Sequence, residues 1–132
     1  MSRGTLRRTA ALVLLTVAPA AAGATVLMHL KLERSEPSTN GVLRASPTHV
    51  RLWFTQKPEL SVTSIKVRTG TGKGAVERAL APLSRADSAN AAIVAPVGAA
   101  LAPGHYEVVW RTMARDGHVL NGVISFDVRP AR

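Results

Sequence analysis

Two runs of alternating apolar and polar residues, separated by Asp116-Gly117-His118, constrain this chain more than any other feature. In the first run Tyr106, Val108 and Trp110 share one face, while Glu107, Val109 and Arg111 share the other. In the second, Val123, Ser125 and Asp127 oppose Ile124, Phe126 and Val128. A two-residue period demands extended chain, so the stretch predicts two half-buried strands with Asp116 and His118 at their junction. Residues two apart in an extended link point the same way, with Cα atoms roughly 6.6 Å apart. A carboxylate oxygen and an imidazole nitrogen so placed can meet on one ion. The plainer alternative is a polar turn in which Asp116 accepts backbone N–H bonds and His118 is simply exposed.

The same period recurs upstream. Strand-like stretches fall at residues 29–32, 50–55, 62–68, 91–97, 105–113 and 119–128, with Pro37, Gly41, Pro47, Pro58, Gly70, Pro96, Pro103 and Gly104 among the residues that punctuate them. No helical period is sustained, and residues 77–88 read as a short strand or one helical turn. Thr69-Gly-Thr-Gly-Lys-Gly74 lacks the spacing of a phosphate loop and reads as a glycine-rich strand connection. Short strands at regular spacing predict an all-β fold, a β-sandwich or Greek-key barrel of seven or so antiparallel strands. Its expected core is Leu32, Leu52, Phe54, Val67, Tyr106, Val108, Trp110 and Phe126. Leu101-Ala-Pro-Gly-His-Tyr106 before a long strand predicts a tyrosine corner, in which a phenol bonds nearby backbone.

Residues 1–24 read as a signal peptide. Arg3, Arg7 and Arg8 precede an apolar stretch at 10–17, and small residues follow at 18–24, with Ala22-Gly23-Ala24 the best cleavage site and Ala20-Ala21-Ala22 the next. An uncleaved anchor is the alternative, because residues 9–28 carry no charge over about the 20 residues that a span requires. Pro19, Gly23 and the many alanines make that span weak. Cutting after Ala24 leaves residues 25–132, which is 108 of the 132, as one domain. Exported domains of this size often rely on disulfides, yet the chain has no cysteine, so its stability must come from the core.

Removing the three leader arginines leaves 14 basic against 8 acidic residues and lowers the net charge from +9 to +6. Those basic residues are scattered singly, which describes a solvated surface rather than a nucleic-acid site. The five aromatics all lie in strand-like segments and read as core, not as a stacking platform for bases. With no cysteine nucleophile and no Gly-x-Ser-x-Gly elbow, hydrolytic chemistry finds no support.

His29-Leu-Lys-Leu32, Ser35-Glu-Pro37, Gly41, Ser46-Pro47, Val50-Arg-Leu52-Trp-Phe54, the run from Leu101 through Tyr106 to Arg111, and Asp116-Gly-His118 occur in that order. So arranged, behind a leader, the chain resembles the CopC copper-resistance family, least closely over residues 69–99. The resemblance implies a periplasmic sandwich of immunoglobulin-like form that binds Cu(II) and serves copper tolerance or delivery. Cu(II) favours nitrogen and oxygen ligands in a tetragonal arrangement, which makes His118 the first metal ligand and Asp116 the second. In the family the first histidine of the mature chain gives its imidazole and its terminal amine, and His29 matches that position.

Three departures from the family pattern follow. No signal-peptidase site falls directly before His29, because Val26 and Met28 would occupy the small-residue positions. The acidic residue that often follows the Leu-x-Phe strand is Gln56 here, a neutral and weaker donor expected near the ion rather than on it. The methionine-rich loop that serves Cu(I) in some relatives is missing, with Met28 and Met113 isolated and Met113 expected in packing. His49 and His105 are expected on the surface with no second ligand at suitable spacing.

The expected function is therefore copper buffering or carriage in the periplasm, not enzymatic turnover. Its partners would be the copper ion and an inner-membrane copper transporter or a copper-requiring protein. No nucleic acid is expected, and membrane contact only if the leader stays attached. A metal-free immunoglobulin-like interaction module and a copper-dependent oxidase are the alternatives.

Overall fold

The computed structural model describes residues 29–86 and 92–131, and the signal-peptide expectation lies outside them. Among the described residues nine strands follow in order: β1 (Leu32–Glu36), β2 (Gly41–Leu43), β3 (His49–Phe54), β4 (Ser64–Thr69), β5 (Val76–Ala79), β6 (Ser84–Arg85), β7 (Ile93–Pro96), β8 (Gly104–Met113) and β9 (Val119–Val128). They form two sheets, one in the order β1-β3-β7-β6 and the other β2-β9-β8-β4-β5. Two separate sheets make this a sandwich rather than a closed barrel.

Alternation in the sequence decides which side chains enter. Val50, Leu52 and Phe54 of β3, with Ile93 and Ala95 of β7, line the inner face of the first sheet. Ile65 and Val67 of β4, Val108 and Trp110 of β8, and Ile124, Phe126 and Val128 of β9 line the second. Each large aliphatic or aromatic group so buried contributes roughly 1.5–3 kcal/mol. The sheets meet where Phe54 packs edge-on against Trp110, with ring centroids 5.4 Å apart. Tyr106 donates its hydroxyl to the Ala102 carbonyl at 2.8 Å, which is the predicted corner.

Three features differ from expectation. The first strand begins at Leu32 rather than His29, and Leu30 fills the core position assigned to Leu32, which is only half-buried. The stretch foreseen from Val62 opens with a 3-10 turn at Leu60–Val62, so β4 starts at Ser64. Strand β2 runs parallel to β9, pairing Gly41 with Phe126 and Leu43 with Val128, and three residues are too few to show a period. The stretch at 77–88 takes the strand alternative in its described part, as most of β5 and all of β6, two short edge strands, while residues 87 and 88 lie outside the described part. The glycine-rich segment is a strand connection as expected, with a 3-10 turn at Gly72–Gly74 between β4 and β5.

Candidate functional site

Strands β8 and β9 form the longest pairing in the molecule, ten residues on each side, from Gly104 opposite Val128 to Met113 opposite Val119. The link between them is short. Ala114 N–H donates to the His118 carbonyl at 2.9 Å, and Gly117 N–H donates to the Ala114 carbonyl at 2.9 Å. A turn over Arg115 and Asp116, closed by Gly117 as the left-handed residue, matches the three-residue hairpin loop. Gly117 has φ +89°, a conformation that costs an L side chain roughly 1–2 kcal/mol, and a Cβ there would meet nothing within 4 Å. The glycine is thus required by backbone conformation and not by crowding.

This turn holds Asp116 and His118 together in solvent. The His118 backbone N–H donates to Asp116 Oδ1 at 3.0 Å, and the His118 imidazole Nδ1 lies 2.8 Å from Asp116 Oδ2. The Asp116 carboxyl is held below its ordinary value, first by the His118 backbone N–H and then by the imidazole. Both side chains are open, at 61% exposure for Asp116 and 79% for His118, so a cation can approach without crossing the core. Two cis ligands about 2.0 Å from a first-row ion stand about 2.8 Å apart. The pair can therefore chelate once the bridging proton leaves. It can also act with Asp116 on Nδ1 orienting the ring and Nε2 facing an ion, as carboxylates commonly orient metal-binding histidines.

His29 and Gln56 come to the same end of the sandwich from the other sheet. Together with Asp116, His118 and Arg115 they line a depression of about 510 Å³ whose apolar part includes Leu30, Ala114 and Leu120. The His29 side of the depression is held by Thr55, the residue after β3. Its hydroxyl donates to the His29 carbonyl at 2.9 Å, and its N–H donates to the Lys31 carbonyl at 2.9 Å. His29 is exposed, and among the described residues no three histidine or carboxylate side chains stand close enough together to hold an ion. The structure thus joins Asp116 to His118 directly and brings His29 and Gln56 to the rim of the same depression.

The remaining expectations fall elsewhere. Met28 is outside the described residues, and Met113 is half-buried at the end of β8. His49 is exposed, with Nδ1 3.0 Å from the Thr48 hydroxyl. His105 is exposed too, yet it does have an acidic partner, which corrects the expectation. Its Nδ1 lies 2.6 Å from Asp127 Oδ1, and Arg129 donates to Asp127 Oδ2 at 2.6 Å. Linear spacing hid this pair because it joins residues 22 apart across the hairpin. The signal that finds it is register: a loop centred on Asp116 places His105 opposite Asp127.

The family model described as the CopC domain matches residues 32–129. Copper resistance protein C of Xanthomonas campestris pv. juglandis is 28% identical over 124 residues, covering 92% of this chain and 97% of that protein. The crystal structure of CopC from Methylosinus trichosporium OB3b superposes with a TM-score of 0.66 at 30% identity, covering 79% of this chain and 97% of that one. PcoC, a methionine-rich copper resistance protein from Escherichia coli, shares the fold with a TM-score of 0.63 at 22% identity, covering 76% of this chain and 99% of its own.

Proposed function

The chain belongs to the CopC domain family, and on that premise we propose that it is a periplasmic Cu(II)-binding protein, a buffer or carrier in copper homeostasis and resistance. Copper is its cargo, taken by the His118 imidazole, the Asp116 carboxylate and the His29 imidazole. The observation that carries this reading is the Asp116 and His118 pair at chelating separation on a depression that His29 also lines. Imidazole and carboxylate suit Cu(II), whereas Cu(I) selects thioethers, and among the described residues no methionine lines the depression. Asp116, ionised below the ordinary carboxylate range, supplies a negative charge to offset the cation. Arg115 on the same rim sets an opposing charge, so the ion is held by its ligands and not by a general negative field.

Cleavage after Ala24 would leave Thr25 as the first residue, four positions before His29. His29 then offers its imidazole alone, and closing on copper requires its exposed ring to turn toward the pair. The ion would pass to an inner-membrane copper transporter or to a copper-requiring protein. Competition titration of the exported protein against a chromophoric Cu(II) chelator tests the proposal. One equivalent of Cu(II) should bind, and intact mass should show a chain starting at Thr25. The absence of any stoichiometric site, or a His118→Ala variant that binds as tightly as the parent, would overturn it.

A further inference from the structure

We infer that Thr55 is a positioning residue for copper binding, its hydroxyl fixing the backbone at His29 on the rim of the depression, from which the imidazole can turn onto an ion held by Asp116 and His118. The inference rests on the proposed function, since it needs His29 as a ligand. Strand β1 pairs with β3 from Leu32 opposite Phe54, and its register slips between Leu32 and Arg34. Residues 29–31 therefore lie beyond the regular ladder, next to an irregular step, where a strand end would ordinarily fray.

Thr55 holds that end with three hydrogen bonds. Its hydroxyl donates to the His29 carbonyl at 2.9 Å and accepts from the Lys31 N–H at 2.9 Å. Its backbone N–H donates to the Lys31 carbonyl, also at 2.9 Å. The hydroxyl uses its donor and an acceptor site at once, bracing the backbone on both sides of Leu30. Leu30 itself is buried in the core at 4% exposure. With the Leu30 side chain turned inward and both flanking residues pinned, His29 is left on the rim of the depression. A ligand held in place before the ion arrives loses less freedom on binding, and the site binds more tightly for it.

Serine can make both hydroxyl bonds, valine neither, and the backbone bond survives in each. Competition titration and EPR of the Cu(II) forms of the parent, Thr55→Val, Thr55→Ser, His29→Ala and the double variant separate positioning from mere support of the fold. Thr55→Val should weaken Cu(II) binding about tenfold, the low end for partners that orient a metal ligand. Its EPR spectrum should lose the nitrogen coupling of one imidazole, as in His29→Ala. Thr55→Ser should restore both properties, and Thr55→Val should add nothing in the His29→Ala background. If valine perturbs folding, Thr55→Ala removes the same two bonds with less bulk and carries the same comparison. Parent-like affinity in Thr55→Val beside a weakened His29→Ala would overturn the positioning role and leave the copper site standing. So would equal weakening in both backgrounds with an unchanged spectrum. His29→Ala that binds as the parent would remove the ligand and the positioning role together, while His118→Ala tests the site independently.

Discussion

The β8 and β9 hairpin carries an aspartate and a histidine at each end, about 30 Å apart for the nine residues of strand rise from His118 to Asp127. The two pairs share residue types and differ in surroundings. At the open end Asp127 has one oxygen on His105 and the other on Arg129, so both acceptors meet a donor and a fixed cation already balances the charge. At the turn both Asp116 oxygens face a single histidine, and a second histidine stands on the same depression. The open end is a clamp between strand ends, and the turn is suited to an added cation. Residue identity alone does not separate them. The arginine that bonds the carboxylate at one end, and the opposite sheet at the other, do.

The comparison breaks most readily at the histidines. His118→Ala should weaken Cu(II) binding about a hundredfold, the upper range for losing a group that holds or orients a metal. His105→Ala should leave the affinity unchanged in the same competition titration. Equal effects would make the two ends equivalent and refute the distinction.

A smaller contrast is expected at the carboxylates. Asp116→Ala should weaken copper binding about tenfold, since imidazole is the better copper donor and survives. Asp127→Ala should not change copper affinity.

Gly117→Ala should lower stability by about 1 kcal/mol in urea unfolding, because only the left-handed backbone opposes the new methyl group. Its cost in copper affinity should be less than that of Asp116→Ala, since the turn can still close.

The smallest effect concerns acid. Asp127 is held below its ordinary value, first by His105 and then by Arg129. A lowered folded value means a stabilisation present above the ordinary 3.8 and lost as pH falls through the folded value. Asp127→Asn should thus unfold slightly more easily than the parent in neutral buffer, and the difference should vanish once the pH lies below the carboxylate range. Asp127 is half-buried but both of its partners are exposed, so the shift in the urea midpoint should be small and should shrink further in salt. A difference that grows on acidification would contradict the clamp.

Much of this molecule was legible without coordinates because hairpin pairing is local. Alternation on either side of a short polar loop prescribes two strands and their inward faces, and Tyr106, Val108, Trp110 and Phe126 are buried accordingly. Once the loop is centred on Asp116, register follows by counting, and the His105 and Asp127 pair was within reach of that count. Asp116 and His118 share a turn, so their contact needs no distant element.

Other features depended on elements far apart in the chain. The parallel pairing of β2 with β9 joins residues 85 positions apart at Gly41 and Phe126 and leaves no periodic trace in three residues. The start of β1 depended on where Leu30 found space in the core, and Thr55 took on its role because β3 ends beside His29. Apolar periodicity says which face of a strand turns inward, whereas the strand it lies beside is settled by packing two sheets over one core. The chain by itself determined the longer strands, the hairpin and the Asp116 and His118 turn. Only that packing decided that His29, Gln56 and Thr55 would stand at the same end of the molecule.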